Sequence, residues 1–166
     1  MSKIFPTKPL NQVAYSPNGK YIASGSSDGY IKVYDPSKDI YPGNELYVLG
    51  KHCAEITVLS FSPNNEFLMT GSFDGTLCIW NSSSGTLVHS LTSRHSIYGG
   101  TWSPNGDYFA SVQHQELSIW DVSTGKKVFS AKGNTSPVFS PDGLHISVAS
   151  GENLLIYKNW KDRPKF

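Results

Sequence analysis

An aromatic residue followed by Ser-Pro occurs four times in this 166-residue chain, and this repetition constrains the fold more than any other feature. The serines are Ser16, Ser62, Ser103 and Ser140, at steps of 46, 41 and 37 residues. Each Ser-Pro precedes Asn or Asp, then Gly or Asn, an apolar run, a polar turn and a second apolar run that closes with an aromatic residue. Units of this length in phase predict a repeat architecture, in which each unit packs against its neighbours.

Each unit is predicted to form short antiparallel strands. The first strand ends at the aromatic residue before Ser-Pro, because Pro presets φ and Asn-Gly or Asp-Gly accepts a positive φ in the turn. Asp28-Gly29 and Asp74-Gly75 predict hairpin turns between the second and third strands. Second strands are predicted at residues 21–24 and 67–70, third strands at 30–34 and 76–80, and fourth strands at 45–49, 86–91 and 126–131. The predicted fold class is therefore all-β, with four-stranded antiparallel sheets.

Four strands in about 40–45 residues, closed by Trp-Asp, resemble the blades of the WD-repeat β-propellers. Trp120-Asp121 is a literal pair, and Tyr34-Asp35 and Trp80-Asn81 are conservative versions of it. The resemblance covers nearly the whole chain. It implies a single WD-repeat domain over residues 1–166, with four blades at approximately 10–50, 53–92, 95–132 and 134–160.

The resemblance also implies a buried hydrogen-bond chain of His, Ser or Thr, Asp and Trp within a blade. Only the second unit has every member, namely His52, Thr70, Asp74 and Trp80. The first unit lacks the His, the third has Gln-His-Gln-Glu in place of Asp-Gly, and the fourth lacks His, Asp and Trp. The role of this network is expected to be structural, because buried polar groups need partners.

Four blades pose a closure problem. In a ring of about seven blades each blade turns by about 51°, so four blades cover about 206°. Nine residues follow Tyr157, so the fourth unit is expected to lack its own fourth strand, and residues 2–7 could serve as an outer strand. Three arrangements remain: a four-bladed ring, two chains in an eight-bladed ring, or part of a larger propeller. We favour the third and then the second, and therefore expect an incomplete ring.

Partners of the family dock on the rim formed by loops before first strands and turns after second strands. Phe73 and Tyr98 are the favoured contacts, because exposed aromatic residues are enriched at binding hot spots. The partner-binding candidates carried over onto this sequence are Phe73, Tyr98, Glu55, Thr57, Ser96 and Ser27.

Charge and composition exclude several other functions. Fourteen basic and thirteen acidic residues give a net charge of +1, which provides no electrostatic reason to expect nucleic acid or a membrane as the main partner. No apolar run is long enough to span a bilayer, and no export signal is expected. The two cysteines, Cys53 and Cys78, are expected to be reduced, in the cytoplasm or nucleus.

The sequence contains no motif for catalysis. It has no HExxH, no phosphate-binding glycine loop and no paired acid and base, so we expect no catalytic residue, metal or cofactor. The leading interpretation is a non-catalytic protein–protein interaction scaffold, whose partner is another protein, a second copy or the remainder of a larger propeller. The alternative is a translation-factor-like propeller that contacts RNA or the ribosome. The C-terminal KNWKDRPKF keeps this alternative open, although a solvated basic tail is the preferred interpretation.

Overall fold

The computed structural model describes residues 8–40, 43–50 and 52–162, which form fifteen strands in four antiparallel sheets. The first sheet contains β1 (Leu10–Tyr15), β2 (Ile22–Ser26), β3 (Ile31–Tyr34) and β4 (Tyr47–Leu49). The second contains β5 (Ile56–Phe61), β6 (Phe67–Ser72), β7 (Thr76–Asn81) and β8 (Leu87–Thr92). The third contains β9 (Ile97–Trp102), β10 (Tyr108–Gln113), β11 (Glu116–Asp121) and β12 (Lys127–Lys132). The fourth contains β13 (Val138–Phe139), β14 (His145–Ser150) and β15 (Asn153–Lys158).

This architecture confirms the predicted all-β class. Strands follow one another in sheet order within every sheet, and the observed strands lie within two residues of the predicted ones. The fourth sheet has three strands among the described residues. The outer strand suggested for residues 2–7 falls outside the described part of the chain.

The Ser-Pro serine organises the turn between the first two strands of every sheet. In the second sheet the Ser62 hydroxyl donates to Asn64 Oδ1 at 2.6 Å and accepts from the Phe67 amide at 2.9 Å. The equivalent pair of bonds forms at Ser16, Ser103 and Ser140. One hydroxyl therefore satisfies a backbone donor at the start of the second strand, which explains why serine is used in all four units.

Consecutive sheets pack face to face around three apolar cores. The first core lies between the first two sheets, the second between the second and third sheets, and the third between the last two sheets. The inner strands β1, β5, β9 and β13 contact each other in order. Within the described residues, no such core joins the fourth sheet to the first. The strand Thr76–Asn81 shows the result, because Leu77, Cys78, Ile79 and Trp80 are all buried although they point to alternate faces.

The C-terminal segment corrects one expectation from the sequence. Asn159 has a positive φ of 47°, and the chain turns there into a short 3-10 helix, Trp160–Asp162. Trp160 is buried, its Nε1 donates to the Gly143 carbonyl at 3.1 Å, and its ring meets Tyr108 edge-on at 5.0 Å. The expectation of a solvated tail is therefore wrong for Trp160, because this turn returns the ring to the core of the last two sheets.

Candidate protein-interaction rim

The second sheet brings together His52, Thr70, Asp74 and Trp80. Trp80 Nε1 donates to Thr70 Oγ1 at 2.9 Å, and Thr70 Oγ1 lies 2.8 Å from His52 Nε2. Thr76 Oγ1 lies 2.5 Å from His52 Nδ1 and donates to Asp74 Oδ1 at 2.6 Å. Sequence reasoning missed Thr76, which links the His to the Asp; His52 Nδ1 itself lies 3.6 Å from Asp74 Oδ2.

Donors and acceptors follow one another in a single order along these hydrogen bonds, from Trp80 to Asp74. Because the Thr76 hydroxyl donates to the carboxylate, it accepts from His52 Nδ1–H, and His52 Nε2 accepts from Thr70. This assignment requires a neutral imidazole. The pKa of His52 is lowered because burial disfavours the charged ring, an effect larger than the opposing attraction of Asp74. Every polar atom of the chain from Trp80 to Asp74 thereby has a partner.

Asp74 is the anionic end of this chain. Burial alone would raise the pKa of its carboxyl, but hydrogen bonds from Thr76 and from the Cys53 amide outweigh that effect and lower it. The Cys53 amide donates to Asp74 Oδ2 at 2.6 Å, so the carboxylate also ties the turn to the loop before β5.

The other sheets contain shorter versions of this arrangement. In the first sheet the side chain of Ser24 is hydrogen-bonded to the hydroxyl of Tyr34. The pKa of Tyr34 is raised mainly because the hydroxyl is buried. In the third sheet Trp120 Nε1 donates to Ser111 Oγ at 3.0 Å. There the rings of His95 and His114 stack with centroids 4.2 Å apart, at the place where the second sheet has its His and Asp. Within the described residues, the full chain of bonds belongs to the second sheet.

The favoured partner-binding residues, Phe73 and Tyr98, contact each other across two sheets. Phe73 lies in the turn between β6 and β7, and Tyr98 is the second residue of the inner strand β9. Their ring centroids are 6.0 Å apart at an interplanar angle of 64°, an edge-to-face pair. Phe73 is nevertheless 44% exposed and Tyr98 55% exposed. The pair is therefore an aromatic surface, and the contact does not hide it.

Hydrogen bonds to the backbone hold this surface in place. Ser96 Oγ donates to the Phe73 carbonyl at 2.8 Å, and Thr57 Oγ1 donates to the Ile97 carbonyl at 2.7 Å. The Phe73 amide donates to the Glu55 carbonyl at 3.1 Å. Turn, loop and inner strand are thus bonded to each other, so the aromatic pair stands on a rigid support.

Glu55 connects the rim to the first sheet, and Ser27 belongs to the first sheet itself. Asn11 Nδ2 donates to Glu55 Oε1 at 2.8 Å and to the Ile56 carbonyl at 2.6 Å. The Ser27 amide donates to the Pro9 carbonyl at 3.0 Å, and no hydrogen bond of the described residues joins Ser27 to the aromatic pair. Five of the six candidates are therefore linked to one another, and Ser27 lies in the turn between β2 and β3 of the first sheet.

Sequence reasoning missed the His95–His114 stack on this rim. Both residues are exposed, and His114 and Gln115 both have positive φ, 37° and 65°, as a two-residue hairpin turn of type I′ requires. The available signal was the replacement of Asp-Gly by this pair in the third unit. This replacement predicts a turn at His114. It does not predict the stacking, because the other ring, His95, comes from the loop before β9.

Possible metal ligands, thiols and helices of the described residues also bear on function. Among them, no group of three His, Cys, Asp or Glu side chains is arranged to hold a metal ion. Cys53 and Cys78 are both free, and burial is the main cause of the raised pKa of the Cys78 thiol. No helix in the described ranges has the length and apolar character that a membrane span needs.

Comparison with known proteins identifies the same repeat. The family profile described as "WD domain, G-beta repeat" matches residues 3–35 and 43–81. Among curated proteins, "Protein hir1" of Schizosaccharomyces pombe is 25% identical over 89% of this chain and 19% of its own length. "Cell division cycle 20.6, cofactor of APC complex" of Arabidopsis thaliana is 26% identical, over 96% and 40% respectively. A subunit of chromatin assembly factor 1 from Gallus gallus is 26% identical, over 96% and 25%.

A solved structure shows the same fold. A chain in the "Crystal Structure of Mitotic Checkpoint Complex" superposes with a TM-score of 0.74 at 18% identity, over 94% of this chain and 55% of that one. The chain thus spans 19% to 40% of the three curated relatives named above. Its fourfold repeat, its stacked antiparallel sheets, the two profile matches and the superposition together show WD repeats at residues 3–35 and 43–81 and a fold similar to that of the WD-repeat β-propellers.

Proposed function

We propose that this protein is a non-catalytic interaction scaffold that binds a protein partner through the Phe73–Tyr98 surface. The observation that carries the proposal is the pair itself: two aromatic rings in contact, each about half exposed, on hydrogen-bonded loops. Aromatic residues in such positions dominate the energy of many interfaces. The partner is expected to place an apolar or aromatic side chain against the pair.

The names of the relatives support this class of function. One is a cofactor of the APC complex, another is a subunit of chromatin assembly factor 1, and a third is an anaphase-promoting complex subunit in Dictyostelium discoideum. Each acts as a component of an assembly of proteins. Because this chain spans only part of each relative, their particular partners are not carried over to it. A place in the cytoplasm or nucleus fits the same relatives and is part of the proposal.

A displayed library of random peptides tests the role of the rim. Peptides selected on the wild-type chain would be titrated by fluorescence anisotropy against Phe73→Ala, Tyr98→Ala and a matched control, Val88→Ala. Val88 is similarly exposed but lies on the outer strand β8. We expect each rim substitution to raise the dissociation constant of the selected peptides by about tenfold or more. The control substitution should leave it unchanged.

One outcome of the peptide titrations would contradict the proposal. If the selected peptides bind both rim variants as tightly as wild type, the aromatic pair is not the docking site and the proposal fails. Circular dichroism melts of the variants show whether any weakening arises from unfolding, since both rings are exposed and their removal should cost little stability.

The alternative, contact with RNA or the ribosome, has less support. It relied in part on aromatic and basic residues near the C-terminus, and Trp160 is buried and cannot stack on a base. Lys161 Nζ lies 4.9 Å from the centroid of the Tyr108 ring, a cation–π contact within the protein. We therefore propose a protein as the main partner.

A further inference from the structure

We infer that the partner segment bound at the Phe73–Tyr98 surface carries an acidic side chain, and that the stacked imidazoles of His95 and His114 bind it. The inference rests on the proposed function, because it adds a second contact beside the aromatic pair. It commits the partner to an apolar or aromatic anchor with an Asp or Glu a few residues away. Binding should then strengthen as the pH falls, because histidine gains its charge between about pH 8 and about pH 5.

The two imidazoles are open for hydrogen bonding. Their rings stack with centroids 4.2 Å apart at an interplanar angle of 25°, and both residues are exposed. Among the described residues, neither ring has a hydrogen bond or an ion pair, whereas the rings of His52, His89 and His145 each have a partner. The ring nitrogens of His95 and His114 are therefore available to a ligand.

The loop before β9 places the stack next to the aromatic pair. Ser96, which follows His95 in this loop, donates its Oγ to the Phe73 carbonyl at 2.8 Å. A Cβ added to Gly75 would lie 3.0 Å from the His95 carbonyl oxygen, so the turn that carries Phe73 packs directly on the loop. Three residues of chain span at most about 11 Å, which limits the distance between the Cα atoms of His95 and Tyr98. An extended peptide advances about 3.3 Å per residue, so a carboxylate two to four positions from the anchor reaches the stack.

The hairpin between β10 and β11 supplies the second ring. His114 and Gln115 have φ values of 37° and 65°, a conformation that residues other than glycine rarely adopt. In the second sheet the equivalent turn is Asp74-Gly75, with the positive φ on the glycine. The third sheet thus keeps two non-glycine residues in a disfavoured turn, and the result is an imidazole held against the loop before β9.

The charged side chains around the stack leave an anion as the missing ligand. Those on the surrounding loops and strand ends are Glu55, Asp74, Arg94, Glu116 and Lys132. All three carboxylates already accept hydrogen bonds, Glu55 from the first sheet, Asp74 from its own turn and the loop before β5, and Glu116 from β11 and β12. Arg94 and Lys132 are exposed, and no ion pair of the described residues includes them. The open groups are therefore cations or, like the imidazoles, become cations on protonation.

A carboxylate at the stack couples binding to protonation. A hydrogen bond between a protonated imidazole and a carboxylate is stronger than one between neutral groups. Protonation of one ring disfavours protonation of the other at 4.2 Å, and a nearby anion offsets this repulsion. Proton and carboxylate thus favour each other's binding. The carboxylate of a peptide is ionised throughout the range from about pH 6 to about pH 8, so a change in affinity within it comes from the protein.

A displayed library tests the inference, with one fixed Trp in peptides of about ten otherwise random residues, selected on the full chain at about pH 6. We expect Asp or Glu to be enriched two to four positions from the Trp. In fluorescence anisotropy titrations the best peptide should bind about tenfold more tightly at about pH 6 than at about pH 8. The same peptide with its carboxylate replaced by an amide should bind about equally at both pH values.

Two substitutions separate the charge of the stack from its shape. His95→Phe and His114→Phe keep a flat ring but cannot be protonated, so each should reduce the ratio of the two affinities to about twofold or less. The matched control is His145→Gln, which removes an imidazole at the start of β14, at the opposite end of the sheets, and should keep the ratio. Circular dichroism of each variant at both pH values verifies that it is folded.

The outcomes for this inference and for the proposed function are distinct. If Phe73→Ala abolishes binding but the peptides show no acidic enrichment or no pH dependence, the inference is wrong and the proposed function stands. The inference is also wrong if both Phe variants keep the wild-type ratio. If the peptides bind Phe73→Ala as tightly as wild type, the proposed function fails and this inference fails with it. A library that yields no binder overturns both.

Discussion

Replacement of Thr70 by Val tests whether the hydrogen-bond chain of the second sheet stabilises the fold. Valine has nearly the shape of threonine, so packing is retained while the hydroxyl is lost. That hydroxyl is the shared partner of Trp80 Nε1, at 2.9 Å, and His52 Nε2, at 2.8 Å. All three side chains are buried, so water cannot take its place.

The third sheet provides a matched comparison. Ser111 occupies the position of Thr70, and its hydroxyl accepts from Trp120 Nε1 at 3.0 Å. Leaving a buried polar group without a partner costs about 1–3 kcal/mol. Thr70→Val leaves two such groups and should cost about 3 kcal/mol, whereas Ser111→Ala leaves only the N–H of the half-buried Trp120, which is closer to water, and should cost about 1.5 kcal/mol or less.

Urea unfolding followed by far-UV circular dichroism at neutral pH measures both costs as differences in the free energy of unfolding. The slope of the transition should stay the same, because neither change alters the surface that unfolding exposes. If the two variants differ by less than about 0.5 kcal/mol, the reasoning that counts orphaned groups in the second sheet is refuted.

Three further predictions concern single residues. Asp74→Ala should cost about 2 kcal/mol and Asp28→Ala about 1 kcal/mol in thermal melts, because the first carboxylate is the end of the complete chain; equal losses would contradict this. Gly75→Ala should cost about 2 kcal/mol or more, since φ is 83° and the new Cβ would lie 2.6 Å from a carbonyl oxygen. Gly19→Ala, at φ 70° with open space around it, should cost about 1 kcal/mol, and similar values would refute the role of close approach. The pKa of His52 is lowered from 6.5, so its contribution to stability is present above that pH and is lost as the pH falls below it. The drop in Tm from about pH 7.5 to about pH 5.5 should therefore be smaller in His52→Gln, and an unchanged drop would argue against this sign.

The repeat and its strands are visible in the sequence because their causes are local. The turn after each Ser-Pro depends on residues within five positions, as in the bonds of Ser62 to Asn64 and Phe67. Asp74-Gly75 forms its hairpin for a similarly local reason, the positive φ that glycine accepts. The family profile and the solved structure agree with this part of the prediction.

The composition of the buried network was predictable only in part. His52 and Asp74 stand out because one unit alone has both of them at the family spacing. Thr76 does not, because a threonine at the start of a strand is ordinary, and its bridging role depends on the distance between a loop and a turn.

Contacts between units were decided by the tertiary structure. Phe73 and Tyr98 lie 25 positions apart and meet only because the second and third sheets stack with their rims aligned. In the sequence, Trp160 looks like part of a basic tail. In the structure it is a core residue, because the positive φ of Asn159 turns the chain back onto the third sheet. Turn chemistry and strand alternation act within a few residues and can be read from their order. The faces that meet, and the two that remain open, depend on how whole sheets pack, which no local pattern encodes.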